Sequence, residues 1–185
     1  MYPWLRLLRV ALSLIGQHRV DLMATTCVRM RVWPNDLDFN LHVNNGRYLS
    51  LADIGRIHWS ARTGLLEIAR RQRAVPVVGD AIAKFRRDLK LFQSFEIHTR
   101  LLGWDSKWGF IEHRFVRAGR VLGVVTIRGV FKGPAGPVRP DTVLQALGHK
   151  DASPALQESV SRFHSSSDLV SDVLREEERR KGEGC

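Results

Sequence analysis

Residues 33–48 read WPNDLDFNLHVNNGRY, a polar loop between two segments of different periodicity. On its N-terminal side, residues 25–33 alternate. Val28, Met30 and Val32 share one face, and Arg29, Arg31 and Trp33 the other, which predicts a strand. Pro34 ends it, because proline cannot donate to the next ladder bond. On its C-terminal side, Tyr48, Leu51, Ala52, Gly55, His58, Trp59 and Arg62 recur near the 3.6-residue period, which predicts a helix over 45–62. Thr63-Gly64 reads as its exit. Gly46, Ala52, Gly55 and Ala61 keep this helix thin, as close packing against a sheet requires. The loop therefore runs directly into a helix N-terminus.

Downstream, a short helix is expected over 65–73, then strands over 77–87, 94–103, 107–117 and 120–132. Phe95, Ile97, Thr99 and Leu101 alternate with Glu96, His98 and Arg100. The last strand carries bulky residues on both faces, as a doubly covered strand would. Short turns at 104–106 and 118–119 favour antiparallel hairpins. A strand, a long helix and four such strands predict an α+β class of the hot-dog kind, a curved antiparallel sheet wrapped around one central helix. Extra helices are expected at both ends: over 3–16, over 141–147, from Ser153-Pro154, and after a cap at Ser165–Asp168, with a charged, frayed end. Gly133–Pro137 breaks the sheet pattern and starts a surface excursion. The division expected is an N-terminal amphipathic helix (1–20), a central domain (21–135) and a C-terminal helical extension (136–185).

With 185 residues, 44% hydrophobic and 26% charged, the chain has the composition of one globular domain and not of a disordered polymer. A net charge of +10 favours anionic partners without choosing among them. No apolar run reaches the ~18 residues of a membrane span. Two cysteines, Cys27 and Cys185, are too few for a disulfide scaffold or a cysteine-built zinc site. The compartment expected is the cytoplasm. In residues 3–16, Arg6, Arg9, Ser13 and Gln17 form one polar stripe. That segment reads in three ways: a helix packed on the domain, a helix in the interface at the inner face of a membrane with Trp4 and the leucines buried, or a targeting remnant.

The loop itself holds two carboxylates, an imidazole and several amides. A helix N-terminus offers unpaired N–H groups and a positive dipole end, which stabilise negative charge developing on oxygen. A nearby carboxylate can act as nucleophile or as general base. Acyl transfer needs both functions together. Plainer readings stand beside these: Asp36 and Asp38 as turn formers, Asn44-Asn45-Gly46 as a hairpin turn, His42 as a hydrogen-bonded loop residue. Spacing alone does not choose. The spacing of Asp36, Asp38 and His42 matches no standard metal site, so neither metal nor cofactor is expected.

The segment DLDFNLHVNNGRYL, residues 36–49, resembles the D-x-D-x-x-x-H-x-N-N-x-x-Y-L signature of the hot-dog thioesterases, in the 4-hydroxybenzoyl-CoA thioesterase-like branch. Residues 84–91, 99–105 and 112–116 are similar to the group named after thioesterase superfamily member six. The resemblance runs from about residue 25 to 132. It implies hydrolysis of acyl-CoA or acyl-carrier-protein thioesters, without a cofactor, in a homodimer or a dimer of dimers. It places the catalytic carboxylate at Asp38 and the oxyanion donor at the Asn45 N–H, with His42 and Tyr48 lining the site. Many relatives carry Gly before the His, where this chain has Leu41, a difference that bears on the backbone angles of the loop. Asn44 falls in the same site. Lys84, Arg86 and Arg87, with Lys90, are candidates for a basic rim facing the phosphates of CoA. Alternatives are a non-catalytic hot-dog module that binds acyl-CoA or an acyl carrier, a dehydratase on the same fold, and nucleic-acid binding. Against the last, the chain has no helix-turn-helix, zinc finger or aromatic RNA-binding motif.

Overall fold

Alternating strands and one thin helix give the expected hot-dog architecture. The computed structural model describes residues 3–182; Cys185 and the final residues of the charged tail lie outside them. Strand β1 (Thr26–Arg31) buries Thr26, Val28 and Met30 and exposes Cys27, Arg29 and Arg31. A 3-10 turn (Pro34–Asp36) and the polar loop lead into helix α2 (Asn45–Arg62), whose limits match the sequence reading. Before them lies α1 (Trp4–Ser13), and after them α3 (Leu65–Arg71). The sheet follows: β2 (Val75–Phe85), β3 (Ser94–Trp104), β4 (Gly109–Arg117) and β5 (Arg120–Gly133), all antiparallel, in the order β1-β3-β4-β5-β2.

The sheet curls around α2. Leu51, Ala52 and Ile54 of the helix meet Phe95, Ile97, Phe115 and Val125 of the strands in one core cluster. Gly55 sets the spacing, since a Cβ there would stand 2.7 Å from Thr99 Oγ1 and 2.9 Å from Ile97 Cγ2. Any larger side chain would push helix and sheet apart. Of the small residues expected to thin the helix, Ala52 and Gly55 are buried, whereas Gly46 is exposed and Ala61 only half-buried. A second cluster, built on Leu22, Trp59, Leu65, Leu101 and Trp104, closes the other end.

Three local expectations are corrected. The turn after Gly133 does not leave the sheet: β6 (Gly136–Val138) folds back onto β5. No helix starts at Pro154. The run Ser165–Asp168 caps nothing and lies inside one continuous helix, α5 (Glu158–Gly182). Ser and Asp favour caps only where the chain is already turning, and here the flanking residues are good helix formers. The short α4 (Pro140–Ala146) forms as expected. The chain divides into two compact units, one through Pro154 and one from Ala155. In the second, i,i+4 ion pairs such as Glu158–Arg162 and Glu176–Arg180 line the exposed surface of α5. No described helix is long and apolar enough to cross a membrane.

Candidate active site

Asp36 fixes the loop. It is fully buried, and its carboxylate accepts from Arg6 Nη1 at 2.8 Å, Arg47 Nη2 at 2.9 Å and the Trp33 N–H at 2.8 Å. Burial pushes its pKa up, but the bonds from Arg6, Trp33 and Arg47 outweigh that and hold it below the ordinary carboxylate value. Its carbonyl accepts from the Asn44 N–H at 2.8 Å. Asp36 is therefore an anchor with charged partners on two helices, which is more than a turn former. Arg6 lies 30 residues away, and nothing in the sequence announces the pair. Arg47 sits inside the signature, and the sequence reading gave it no role.

From this anchor the chain makes a tight turn. The Leu41 N–H donates to the Asp38 carbonyl at 3.0 Å, and the Asp38 N–H to the His42 carbonyl at 2.9 Å. Leu41 adopts φ 59°, the left-handed region that favours glycine. The loop thus keeps the backbone form that a Gly would ease, and keeps it with a leucine. Asp38 is half-buried; one carboxylate oxygen accepts from the Asn40 N–H at 2.9 Å, and the other accepts no hydrogen bond from a described residue.

The helix begins directly afterwards. Asn44 is the N-cap, and its Oδ1 accepts from the Gly46 N–H at 2.8 Å. The Arg47 N–H bonds the Asn44 carbonyl. The Asn45 N–H, at the first helical position, bonds no described residue, and Asn45 is exposed. It is an unpaired donor at the positive end of an 18-residue helix.

The segment after β2 lies against this loop. Val43 N–H donates to the Leu89 carbonyl at 2.9 Å, and His42 pairs with Lys90 as an isolated antiparallel bridge. His42 Nε2 stands 3.5 Å from Asp88 Oδ2, a partner that sequence reasoning missed because it lies on a separate loop. Lys84, Arg86, Arg87 and Lys90 are all exposed. The amides of Arg86 and Arg87 bond the Leu122 carbonyl, so both residues are fixed beside the sheet. Tyr48 is placed differently from an open contact residue. It is buried, edge-on to Phe85 and Phe115 with ring centres 5.0 and 4.7 Å away. Burial, with Asp88 nearby, pushes its phenol up to about 12, so it stays neutral. Gly123 opposes its ring, where a Cβ would stand 3.1 Å away.

Among the described residues, one group of side chains could hold a metal: Cys27, Glu96 and His98, on β1 and β3 and outside the loop. Glu96 is already bonded by His98 and Arg29, each at 3.0 Å, and these bonds lower its pKa.

A carboxylate in a hydrogen-bonded turn and an unpaired amide at the following helix start are the two groups, nucleophile or base and oxyanion donor, that acyl transfer needs. Comparison with known proteins bears on the family and the fold. The pattern of the thioesterase-like superfamily matches residues 32–147. The chain is 37% identical to Protein THEM6 of Danio rerio over 182 residues, 96% of this chain and 88% of that one. It is 26% identical over 185 residues to thioesterase poxG of Penicillium oxalicum (strain 114-2 / CGMCC 5302), covering 80% of this chain and 60% of that one. Among solved structures it resembles the gentisyl-coenzyme A thioesterase BH1999, with a TM-score of 0.55 at 20% identity over 66% of this chain and 98% of that one.

Proposed function

The chain belongs to the thioesterase-like superfamily, and from that membership we propose that it hydrolyses an acyl-CoA or acyl-carrier-protein thioester at the Asp38–Asn45 turn. The observation that carries this reading is one hydrogen-bonded loop that holds the half-buried Asp38 and ends at the Asn45 N–H, which bonds no described residue at the start of α2. The thioester carbonyl oxygen rests on that amide, with the helix dipole behind it. Asp38 then either attacks the carbonyl carbon or deprotonates the water that does. In the first route a carboxylate–carbon bond forms, the carbon–sulfur bond breaks and the thiolate leaves and takes up a proton. Water then cleaves the mixed anhydride and regenerates Asp38. In the second route water supplies the attacking oxygen and Asp38 holds its proton until the thiolate takes it.

One oriented oxyanion donor is worth about 10²–10³ in rate, and a positioned base about 10²–10⁴. His42, oriented by Asp88, lines the approach to the turn. Asn44 fixes the helix start, and Tyr48 supports it from beneath. Lys84, Arg86 and Arg87 supply a basic rim suited to the phosphates of CoA.

The assembly proposed is a homodimer, or a pair of dimers, built on β2. This strand ends the sheet, and Val75, Val77, Val78, Ile82 and Phe85 along it are exposed. An apolar, unpaired edge invites a second strand. The outer face of α1, with Trp4, Leu5, Leu8 and Leu12 exposed, and Ile15 just beyond it are proposed to touch a membrane surface on the cytoplasmic side.

The test is thiol release from a panel of short, long and aromatic acyl-CoAs. Asp38→Asn should lower the rate by on the order of 10²-fold or more and leave the melting temperature unchanged. A wild-type rate in that variant would refute the assignment. Binding without release by the native chain across the whole panel would favour a non-catalytic acyl-CoA module.

A further inference from the structure

A second feature is lined by none of the residues assigned to hydrolysis. Helix α1, strand β1 and the last turns of α2 enclose a cleft of about 240 Å³. Arg9 and Arg6 enter from α1, Arg29 and Arg31 from β1, and Arg62 from α2, with His58 on the wall. No Asp or Glu lines it among the described residues, and neither do Asp38, His42 or Asn45.

These arginines differ in their commitments. Arg6 is spent on Asp36 and on the Arg31 carbonyl. Arg29 pairs with Glu96 at 3.0 Å. Arg62 bonds the His18 carbonyl and Gln17. Arg9 and Arg31 are exposed and make no ion pair or side-chain hydrogen bond with any described residue. His58 is only 5% exposed, yet its Nδ1 has no hydrogen-bond partner among the described residues. A buried polar atom without a partner is costly in a fold and rare unless a ligand or water answers it. Burial, with Arg62 alongside, lowers the His58 pKa, so the ring is neutral and adds a hydrogen bond and no further charge.

Asp36 and Glu96, outside the lining, answer Arg6 and Arg29, whereas Arg9, Arg31 and Arg62 have no carboxylate partner among the described residues. Planar forked donors converging from three elements suit a tetrahedral oxyanion. We propose that this cleft is a binding site for a phosphate-bearing group, with Arg9, Arg31 and Arg62 as the charge donors and His58 as the neutral one. The shared chemistry is a phosphate ester or diphosphate, and two sources fit it. One is a free soluble phosphate. The other is the headgroup of an anionic lipid, which the apolar outer face of the same α1 would bring within reach. The proposal is independent of thioester hydrolysis, because its readout is binding.

The experiment measures binding of the full chain to inorganic pyrophosphate by calorimetry, and to vesicles of phosphatidylglycerol and phosphatidylcholine by co-sedimentation. The native protein is compared with Arg9→Glu/Arg31→Glu and with the charge-matched control Arg117→Glu/Arg120→Glu on the β4–β5 turn. A milder pair, Arg9→Gln/Arg31→Gln, guards against misfolding, and the melting temperature is followed throughout. Pyrophosphate binding that weakens about tenfold or more in the cleft pair and not in the control identifies a soluble phosphate ligand. Vesicle binding lost in the cleft pair alone, without pyrophosphate binding, identifies the lipid headgroup. Binding to neither probe, or equal weakening in cleft pair and control, overturns the proposal and leaves only the general attraction of a basic protein. Asp38→Asn should bind like the native chain, which separates failure here from failure of the hydrolase reading.

Discussion

Leu41 carries the residue-scale lesson. Its left-handed backbone costs a β-carbon residue roughly 1 kcal/mol or more, and its side chain is mostly exposed, so little packing offsets the strain. Glycine would remove the strain and lose some of that gain to a more flexible unfolded chain. Leu41→Gly should therefore stabilise the protein by on the order of 0.5 kcal/mol, and Leu41→Val should destabilise it, because a β-branched residue resists positive φ. Urea unfolding of both variants checks the two signs; a less stable Gly variant would mean that the leucine side chain supports the turn. The sequence showed that this position departs from the family habit. It could not show that the backbone would hold its shape regardless, because φ is decided by the ladder between residues 38 and 42. Asp36 was harder still. As one acidic residue in a loop it reads as a turn former, and only the folded chain brings Arg6 to it.

Among the elements, the regular ones were the most legible. Helix α2 and strands β1 and β3 follow from periodicity, because burial on one face leaves a repeating pattern. What failed was local punctuation. Gly133–Pro137 looks like an exit and is a hairpin, and Ser165–Asp168 looks like a cap and is mid-helix. Strand β2 lacked the alternation of its neighbours, since its residues are exposed on nearly every position. That exposure makes β2 the place to test the proposed assembly. Ile82, half-exposed on the free edge, should become a break point when charged. Ile82→Lys is expected to shift the native species from dimer to monomer in sedimentation velocity, with the secondary structure retained. A native chain that sediments as a monomer would remove β2 as the interface.

On the scale of the whole molecule, buried ionisable groups tie stability to pH. His113 is fully buried between α2 and the sheet, bonded to Thr99 at 3.0 Å. Burial, with Arg56 nearby, pushes its pKa down to about 3 from an ordinary 6.5. In the unfolded chain it takes a proton below 6.5, while in the folded chain it does not until about 3. The unfolded state therefore binds more protons in that window, and stability falls as the pH drops through it. His58, also lowered, acts in the same direction, and Asp36 adds a further loss below its ordinary 3.8. Melting temperature should thus be flat from about pH 7 to about pH 8 and decline steadily down to about pH 4. His113→Gln should flatten part of that decline, and an unchanged slope would show that the ring is not the group responsible.

Arg6 gives the first helix a duty beyond its own packing. It reaches from α1 to the buried carboxylate beneath the turn that bears Asp38. A shortened chain that starts at β1 would leave Asp36 with a single guanidinium brace, from Arg47. Such a trimmed protein would keep Asp38, His42 and Asn45, yet assays on it would describe a slackened version of the proposed site.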